Sequence, residues 1–286
     1  MKKGYICTVI AVICWGASFI GTKIACSAFS PLFLCFLRFA AAVPVMALWR
    51  ALNHDHEKPE GKDKKMILLS SIVGVSVYYA SENIAVDMTT ASTASLIAGA
   101  YPVITALIGI VFFHDHFDRK RLAGIALAVA GVFILTNIDI SAEAKNPLAG
   151  NTLLIFDGFL WALYNYLIPA IDDRYSAMTV TYYQFLYGVI FMIPLAFITP
   201  PVTGEITLSV ILAVVFLSAV CSVGAYIMYN YGLKTISAGA AASIMNLMPV
   251  AGLILSALIL HETIVMRHII GGAVILTGVL ISSAQS

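Results

Sequence analysis

Apolar residues run through this chain in ten blocks, each about as long as a bilayer is thick, and polar residues gather in the short gaps between them. A helix needs roughly 20 mostly apolar residues to cross the hydrocarbon core. Segmenting on charge clusters and turn residues predicts spans near 4–23, 31–50, 66–86, 91–113, 121–138, 150–170, 178–199, 207–230, 238–260 and 268–284. These runs are about twice the length of a barrel strand and lack its alternation, so helices are the spanning element. One gap is long and polar, Asn53 to Lys65, and another, Asp139 to Ala149, separates two blocks of five spans. The run from Tyr5 to about Thr22 is too long for a signal peptide and ends without a small-residue cleavage motif, which makes it an uncleaved first span.

The two blocks repeat one another. At a shift of 146, Gly4 meets Gly150, Trp15 meets Trp161, Ser30 meets Ser176 and Phe39 meets Phe185. At a shift of 147, Asn83 meets Asn230, Pro102-Val103 meets Pro249-Val250, His114-Asp115 meets His261-Glu262, and Gly124 and Gly131 meet Gly271 and Gly278. One inserted residue accounts for the change of register. Chance similarity of apolar runs does not align Trp, Asn, Pro and His-acid in order. The expected organisation is a first five-helix repeat over 1–140, a connector over 141–149 and a second repeat over 150–286. Five is odd, so the second repeat enters the membrane upside down, the plan of many secondary transporters, whose sites lie near the midplane between the repeats.

Composition and charge fit this picture. Hydrophobic residues make up 60% of the 286 and charged residues only 11%, against about 25% in soluble domains, so the expected class is an all-α integral membrane protein. A net charge of +1 gives no reason to expect a nucleic-acid partner. Twelve Lys and Arg fall in gaps on the N-terminal side (Lys2, Lys3, Arg50, Lys58, Lys62, Lys64, Lys65, Arg119, Lys120, Arg121, Arg174, Lys234), while three (Lys23, Lys145, Arg267) fall on the other. By the positive-inside rule both termini face the cytoplasm. The five cysteines are scattered without Cys-x-x-Cys spacing and read as small packing residues.

Three ionisable residues lie inside spans: Arg38, Glu82 and Asp157. A charge at the centre of a spanning helix costs on the order of 2.5–3.5 kcal/mol, so such residues face a cavity or one another. None has a charged counterpart in the other repeat: Arg38 aligns with Gln184, Glu82 with Tyr229 and Asp157 with Ala11. Glu82 has three readings, namely binding a substrate amine, carrying a coupling proton, or pairing structurally with Arg38. Asp157 shares a helix face with Trp161 and Tyr164, at offsets of four and seven, which suits a cationic or aromatic substrate as well as proton coupling. Trp15, Tyr79, Tyr229, Asn83, Asn230 and Asn246 complete the candidate substrate-binding set, with packing and interhelical hydrogen bonding as their alternative use. Pro102 and Pro249 remove a helical hydrogen bond at equivalent places and are the expected kinks or hinges. The His-Asp-His triplets at 54–56 and 114–116 lack the spacing of a metal site, so no metal is expected. With no nucleotide-binding loop in the sequence, no cofactor is expected either.

A set of short motifs gives these observations a family. Trp15-Gly16-Ala17-Ser18-Phe19, Ser30-Pro31 with Arg38-Phe39, Thr90-Ala91-Ser92 through Tyr101-Pro102-Val103, and Gly124-Ile125-Ala126 mark the first half. Trp161-Ala162-Leu163-Tyr164, Asn230-Tyr231-Gly232-Leu233, Asn246-Leu247-Met248-Pro249-Val250 and His261-Glu262 mark the second. In this order they resemble the EamA type of the drug/metabolite transporter superfamily over essentially the full length. The usual Gly-Glu after spans four and nine is His114-Asp115 and His261-Glu262 here, so the glycine is replaced while the acid persists. The resemblance implies a ten-helix carrier of the bacterial cytoplasmic membrane that moves amino acids or related metabolites, mostly outward.

The expected function is therefore secondary active transport of a small metabolite (an amino acid, an amine or a related compound) by alternating access, with proton coupling through Glu82 or Asp157 as one energy source. Import of a nucleoside- or vitamin-like solute is the alternative. An intramembrane enzyme would need a Ser–His pair or a His-Glu-x-x-His in the membrane, and the sequence has no such motif. The expected partners are a small-molecule substrate and the lipid bilayer, with the protein as a monomer or homodimer.

Overall fold

A computed structural model describes residues 2–55, 57–112, 119–136, 144–172, 174–233, 236 and 244–283, without the side chains of Arg121, Thr136, Asn230, Leu233, Ser282 and Ser283. His114-Asp115-His116, His56, Lys234, residues 141–143 of the connector and the small-residue run Ala238 to Ser243 lie outside the described residues.

The helices follow the apolar blocks. They are α1 (Lys2–Ala25), α2 (Pro31–Leu52), α3 (Gly61–Met88), α4 (Ala91–Phe112), α5 (Arg119–Thr136), α6 (Pro147–Ala170), α7 (Ala177–Ala196), α8 (Leu208–Tyr229, its last segment running on to Leu233), α9 (Leu247–Ile259) and α10 (Met266–Ser283). Seven of them, α1–α4 and α6–α8, are long and apolar enough to cross a membrane, and α5, α9 and α10 contain shorter apolar helices. No strand occurs among the described residues beyond an isolated bridge between Phe29 and Val202. Proline at the first helical position starts α2 and α6, where its missing N–H costs nothing, and Asn146, Ser176 and Thr207 cap α6, α7 and α8 with side-chain acceptors.

Burial is reversed relative to a water-soluble protein. Ile6, Ile10 and Ile13 on α1, Ile190 and Ile193 on α7, and Leu208, Ile211, Leu212 and Val215 on α8 are exposed, whereas Thr8, Arg38, Ser70, Ser71, Glu82, Asn151, Asp157, Gln184 and Ser222 are buried. Lipid explains the first set and a polar bundle interior the second. The chain is an all-helical integral membrane protein that crosses the bilayer several times.

The most extensive helix pairings in the bundle recur when each helix of one half is exchanged for its mate in the other. α1 packs on α8 and α9 as α6 packs on α3 and α4, while α2–α7, α4–α9 and α5–α10 pair with their own mates. The α5–α10 seam is the most extensive of these contacts, and repeat-related glycines make it possible. A methyl on Gly131 would sit 2.9 Å from the Gly271 carbonyl oxygen, and one on Gly278 would sit 2.6 Å from that of Gly124. Only hydrogen fits where two backbones approach so closely.

Three helices depart from simple rods. The kink expected at Pro102 is a full break: α4 runs from Ala91 to Ala98, turns through Gly99–Ala100 and resumes at Tyr101. Pro102 is thus the second residue of a new helical segment, a place proline tolerates well. Pro249 holds the third position of α9, just after a turn at Asn246, so it too starts a segment and does not bend one. The remaining two departures are wide π-turns, at Ile72–Val77 in α3 and Phe216–Gly224 in α8. They overlap under the shift of 147. Such turns carry an extra residue and recur at functional sites.

Candidate substrate cavity

The broken and widened helices meet around one cavity. A cavity of about 80 Å³ is lined by Trp15, Ser18 and Phe19 of α1, Arg38 of α2, Tyr78, Tyr79 and Glu82 of α3, Ala98 to Pro102 of α4 except Ala100, Trp161 of α6, Tyr226 of α8, and Met245, Asn246 and Met248 beside α9. Its wall is built from repeat mates: Trp15 with Trp161, Tyr79 with Tyr226, Gly99 with Asn246, and Tyr101 with Met248. The break in α4 serves the cavity directly. Pro102 has no N–H to return to the Ala98 carbonyl, and the Val103 N–H turns to Ala100 at 2.9 Å, so helical bonds to Ala98 and Gly99 are not made. Both residues line the cavity.

Rings enclose the space. Trp15 is anchored by its indole N–H, which donates to the Cys221 carbonyl in the π-turn of α8 at 3.0 Å, and it packs edge-on against Tyr226. Trp161 stacks on Tyr164 with centroids 5.5 Å apart and tilts against Tyr78. The hydroxyls of Tyr79 and Tyr226 meet across the centre at 3.4 Å. Tyr226 also lines two further clefts on the α7 side, one reaching Tyr164, Gln184, Asp172 and Arg174, so it stands between the cavity and that end of the bundle.

The charges come from the first half alone. Arg38 is buried at 1% exposure, donates from Nε to the Ser222 hydroxyl at 2.8 Å, and lies over the Tyr79 ring with 4.6 Å to the centroid. One terminal nitrogen of its guanidinium has no hydrogen-bond partner. Glu82 accepts from the Tyr78 hydroxyl at 2.9 Å. The Arg38–Glu82 ion pair weighed from the sequence does not form: ion pairs among the described residues are Arg50–Asp55, Lys145–Asp87 and Arg174–Asp63. A guanidinium and a carboxylate therefore face one aromatic chamber without neutralising each other by contact. Such a chamber can hold a small solute bearing both an anionic and a cationic group, with rings for the remainder.

Of the residues singled out from the sequence, Trp15, Arg38, Tyr79, Glu82, Pro102, Trp161 and Asn246 line this cavity. The others sit elsewhere. Asn83 ties α3 to the start of α2 through the Pro31 carbonyl (3.1 Å), and Tyr229 packs behind Trp15. Tyr164 donates to Gln184 and lines the α7-side cleft, and Pro249 backs Gly99. Asp157 is fully buried outside the cavity wall, and the Asn230 side chain is outside the described residues. Sequence reasoning missed Tyr226, although the shift of 147 from Tyr79 leads directly to it, and it missed Tyr78 as the partner of Glu82.

The two ends of the bundle are tied differently. At one end Lys23 donates to the carbonyls of Val86, Asp87 and Thr89, Lys145 pairs with Asp87, and Thr89 donates to Asn151. There Glu262 also accepts from the first N–H groups of α4, those of Ala91 at 2.7 Å and Ser92 at 2.9 Å, which places an anion on the positive end of a helix. His261 beside it takes φ +56°, which accounts for glycine as the family's usual residue at this point. At the other end Arg50 grips Asp55, and Thr179 of the second half donates to the same carboxylate. Those bonds, Arg50 first, hold the Asp55 carboxyl below its usual range.

Comparison with known proteins agrees with this architecture. The model of the EamA-like transporter family matches the chain twice, over residues 2–137 and 148–284. A relative from Archaeoglobus fulgidus, named only as an uncharacterized transporter, is 31% identical over 99% of this chain and 98% of its own length. A probable amino-acid metabolite efflux pump of Escherichia coli is 25% identical over 98% and 95% of the two chains. A probable terminal-alkyne amino-acid exporter of Streptantibioticus cattleyicolor is 22% identical over 100% and 95%. A solved crystal structure at 17% identity superposes with a TM-score of 0.69, covering 98% of this chain and 96% of the other.

Proposed function

Because the chain belongs to the EamA-like transporter family, we propose that it is a secondary carrier of a small zwitterionic metabolite, of the amino-acid class, moved outward across a bacterial cytoplasmic membrane. The observation that carries this reading is the unpaired Arg38 and Glu82 on one ring-lined cavity. Arg38 receives the substrate carboxylate through its unpartnered nitrogen, and Glu82 receives the ammonium. The aromatic walls accept an apolar or aromatic side chain and add cation–π attraction of about 0.5–2 kcal/mol.

In this reading the fold comprises ten spans as two inverted five-helix repeats, 1–140 and 150–286, joined by the connector 141–149, with both termini cytoplasmic. The Lys23–Asp87–Glu262 network then closes the outer end, and the clefts shared by Tyr226 form the inner approach. Alternating access exchanges the two by rocking the halves about the breaks before Pro102 and Pro249. Support comes from the matching helix neighbours of the two halves and from relatives named as amino-acid exporters.

The test is counterflow in proteoliposomes. Vesicles preloaded with one L-amino acid of a panel are diluted into trace radiolabelled L-phenylalanine. Transient accumulation above equilibrium, lost in Glu82→Gln, is the expected result. Entry into proteoliposomes equal to that into protein-free vesicles, for every member of the panel, overturns the reading. As a binding check, ligands of the native state raise the melting temperature of the purified protein.

A further inference from the structure

Behind the cavity wall lies an acid to which the transport reading gives no task. Asp157 of α6 has no exposed surface, and neither of its carboxylate oxygens has a hydrogen-bond partner. The groups of its surroundings are as under-used as it is: the Ser81 hydroxyl of α3 and the Tyr101 hydroxyl of α4 are also buried without partners. The charged and titratable groups that face it are Glu82 and Tyr78 from α3 and Tyr101 from α4. No cation among the described residues acts on it.

A carboxylate kept for structure is held by donors or by a cation, because an isolated buried charge is among the costliest arrangements a protein can make. Asp157 has neither. What neutralises it most cheaply is a proton. The same surroundings adjoin the cavity. Gly158, the next residue, lies so close to Tyr101 that a methyl there would be 3.1 Å from Cδ1 of the ring. Tyr101 faces Tyr78 with centroids 6.4 Å apart, and Tyr78 already donates to Glu82. Tyr101, Tyr78 and Glu82 all line the cavity, whereas Asp157 does not.

We infer that Asp157 is the coupling-proton site of the carrier, separate from the substrate site and set behind the part of its wall that Tyr101 and Tyr78 form. The step is a simple protonation. One O–H bond forms on the carboxylate when a proton enters from the water of the outer side, and the same bond breaks when the proton leaves to the inner side. No electrons move. An outward-moving substrate on Glu82 and an inward-moving proton on Asp157 are then alternately favoured, since two negative charges so near one another repel. The inference rests on the transport reading for its direction, while the proton site itself does not depend on it.

Two measurements separate these claims. The first needs no substrate: infrared difference spectra of the purified protein across a pH titration, comparing wild type, Asp157→Asn and Glu82→Gln. A protonated-carboxyl carbonyl band that titrates in the wild type and in Glu82→Gln, and is missing from Asp157→Asn, is the expected result. A spectrum of Asp157→Asn identical to that of the wild type overturns the assignment. The second uses radiolabelled L-phenylalanine in proteoliposomes, with and without an imposed pH gradient. Asp157→Asn retains counterflow and loses stimulation by the gradient, falling to the rate without one. Undiminished stimulation in Asp157→Asn overturns the coupling role. Asp157→Glu, which preserves the acid, restores stimulation and distinguishes proton binding from a packing defect. Absence of wild-type counterflow, with the infrared band present, counts against the transport reading and leaves the proton site standing.

Discussion

Arg38 and Gln184 occupy the same place in the two halves, and their surroundings could hardly differ more. Gln184 is saturated: its amide donates to Ser70 at 2.8 Å, its side-chain oxygen accepts from Tyr164, and its backbone carbonyl accepts from Ser71. It fastens α7 to α3 and α6. Arg38 makes one hydrogen bond, to Ser222, and turns the rest of its guanidinium toward the cavity with a nitrogen unsatisfied. The same contrast separates Glu82, on the cavity, from Tyr229, packed behind Trp15. One half has spent its central polar groups on holding helices together, and the other has kept them for a ligand.

The sharpest way to break this contrast is to give the first half the residue of the second. Arg38→Gln is expected to lower transport efficiency on the order of 100-fold or more, since removing one partner of a buried charge pair costs about 3–5 kcal/mol. Initial rates in proteoliposomes with wild-type melting behaviour would establish it; unchanged rates would remove Arg38 from the site. Glu82→Gln preserves shape and removes charge, and the loss expected is roughly 10- to 100-fold for zwitterions, from a charge-assisted bond of about 1.5–3 kcal/mol. Carboxylic acids that lack the amine are affected less.

The converse test belongs to the second half. Gln184→Ala leaves Ser70 and Tyr164 without a buried partner and is expected to cost about 1–3 kcal/mol of stability, seen as a lower melting temperature, while apparent affinity for substrate is little changed. A loss of affinity without a loss of stability would contradict the division of labour. Smaller still is His261→Gly, which relieves a left-handed residue and is expected to raise stability by about 1 kcal/mol. Last comes the contact that joins the halves at Arg50, Asp55 and Thr179. With the Asp55 carboxyl held below its usual range, the bond stabilises at neutral pH and is lost as pH falls through the depressed value. The melting temperatures of wild type and Asp55→Asn should therefore converge on acidification and separate at neutral pH.

Much of this was legible beforehand, for identifiable reasons. A charge inside an apolar block is conspicuous and has few places to go, so Arg38 and Glu82 could be assigned to an interior site from their position alone. The shift of 147 was visible through Asn, Pro and Gly, and it also links Tyr79 to Tyr226, the pair whose hydroxyls meet. The π-turns were hidden, because Ile72–Val77 and Phe216–Gly224 are ordinary apolar stretches and a change from i+4 to i+5 bonding leaves no mark in composition. Asp157 shows where helical periodicity stops being informative. It shares a stripe with Trp161 and Tyr164, yet Trp161 reaches the cavity while the acid faces Ser81 behind the wall. A stripe fixes direction and says nothing of which neighbour closes over each turn.

The paired π-turns also bear on how the rings are aimed. Each is followed directly by cavity residues, Tyr78 and Tyr79 in α3 and Tyr226 in α8, so the widened backbone sets the direction in which these side chains enter the chamber. Both halves share that frame, and Arg38 and Glu82, which have no charged counterparts, are what one half adds to it.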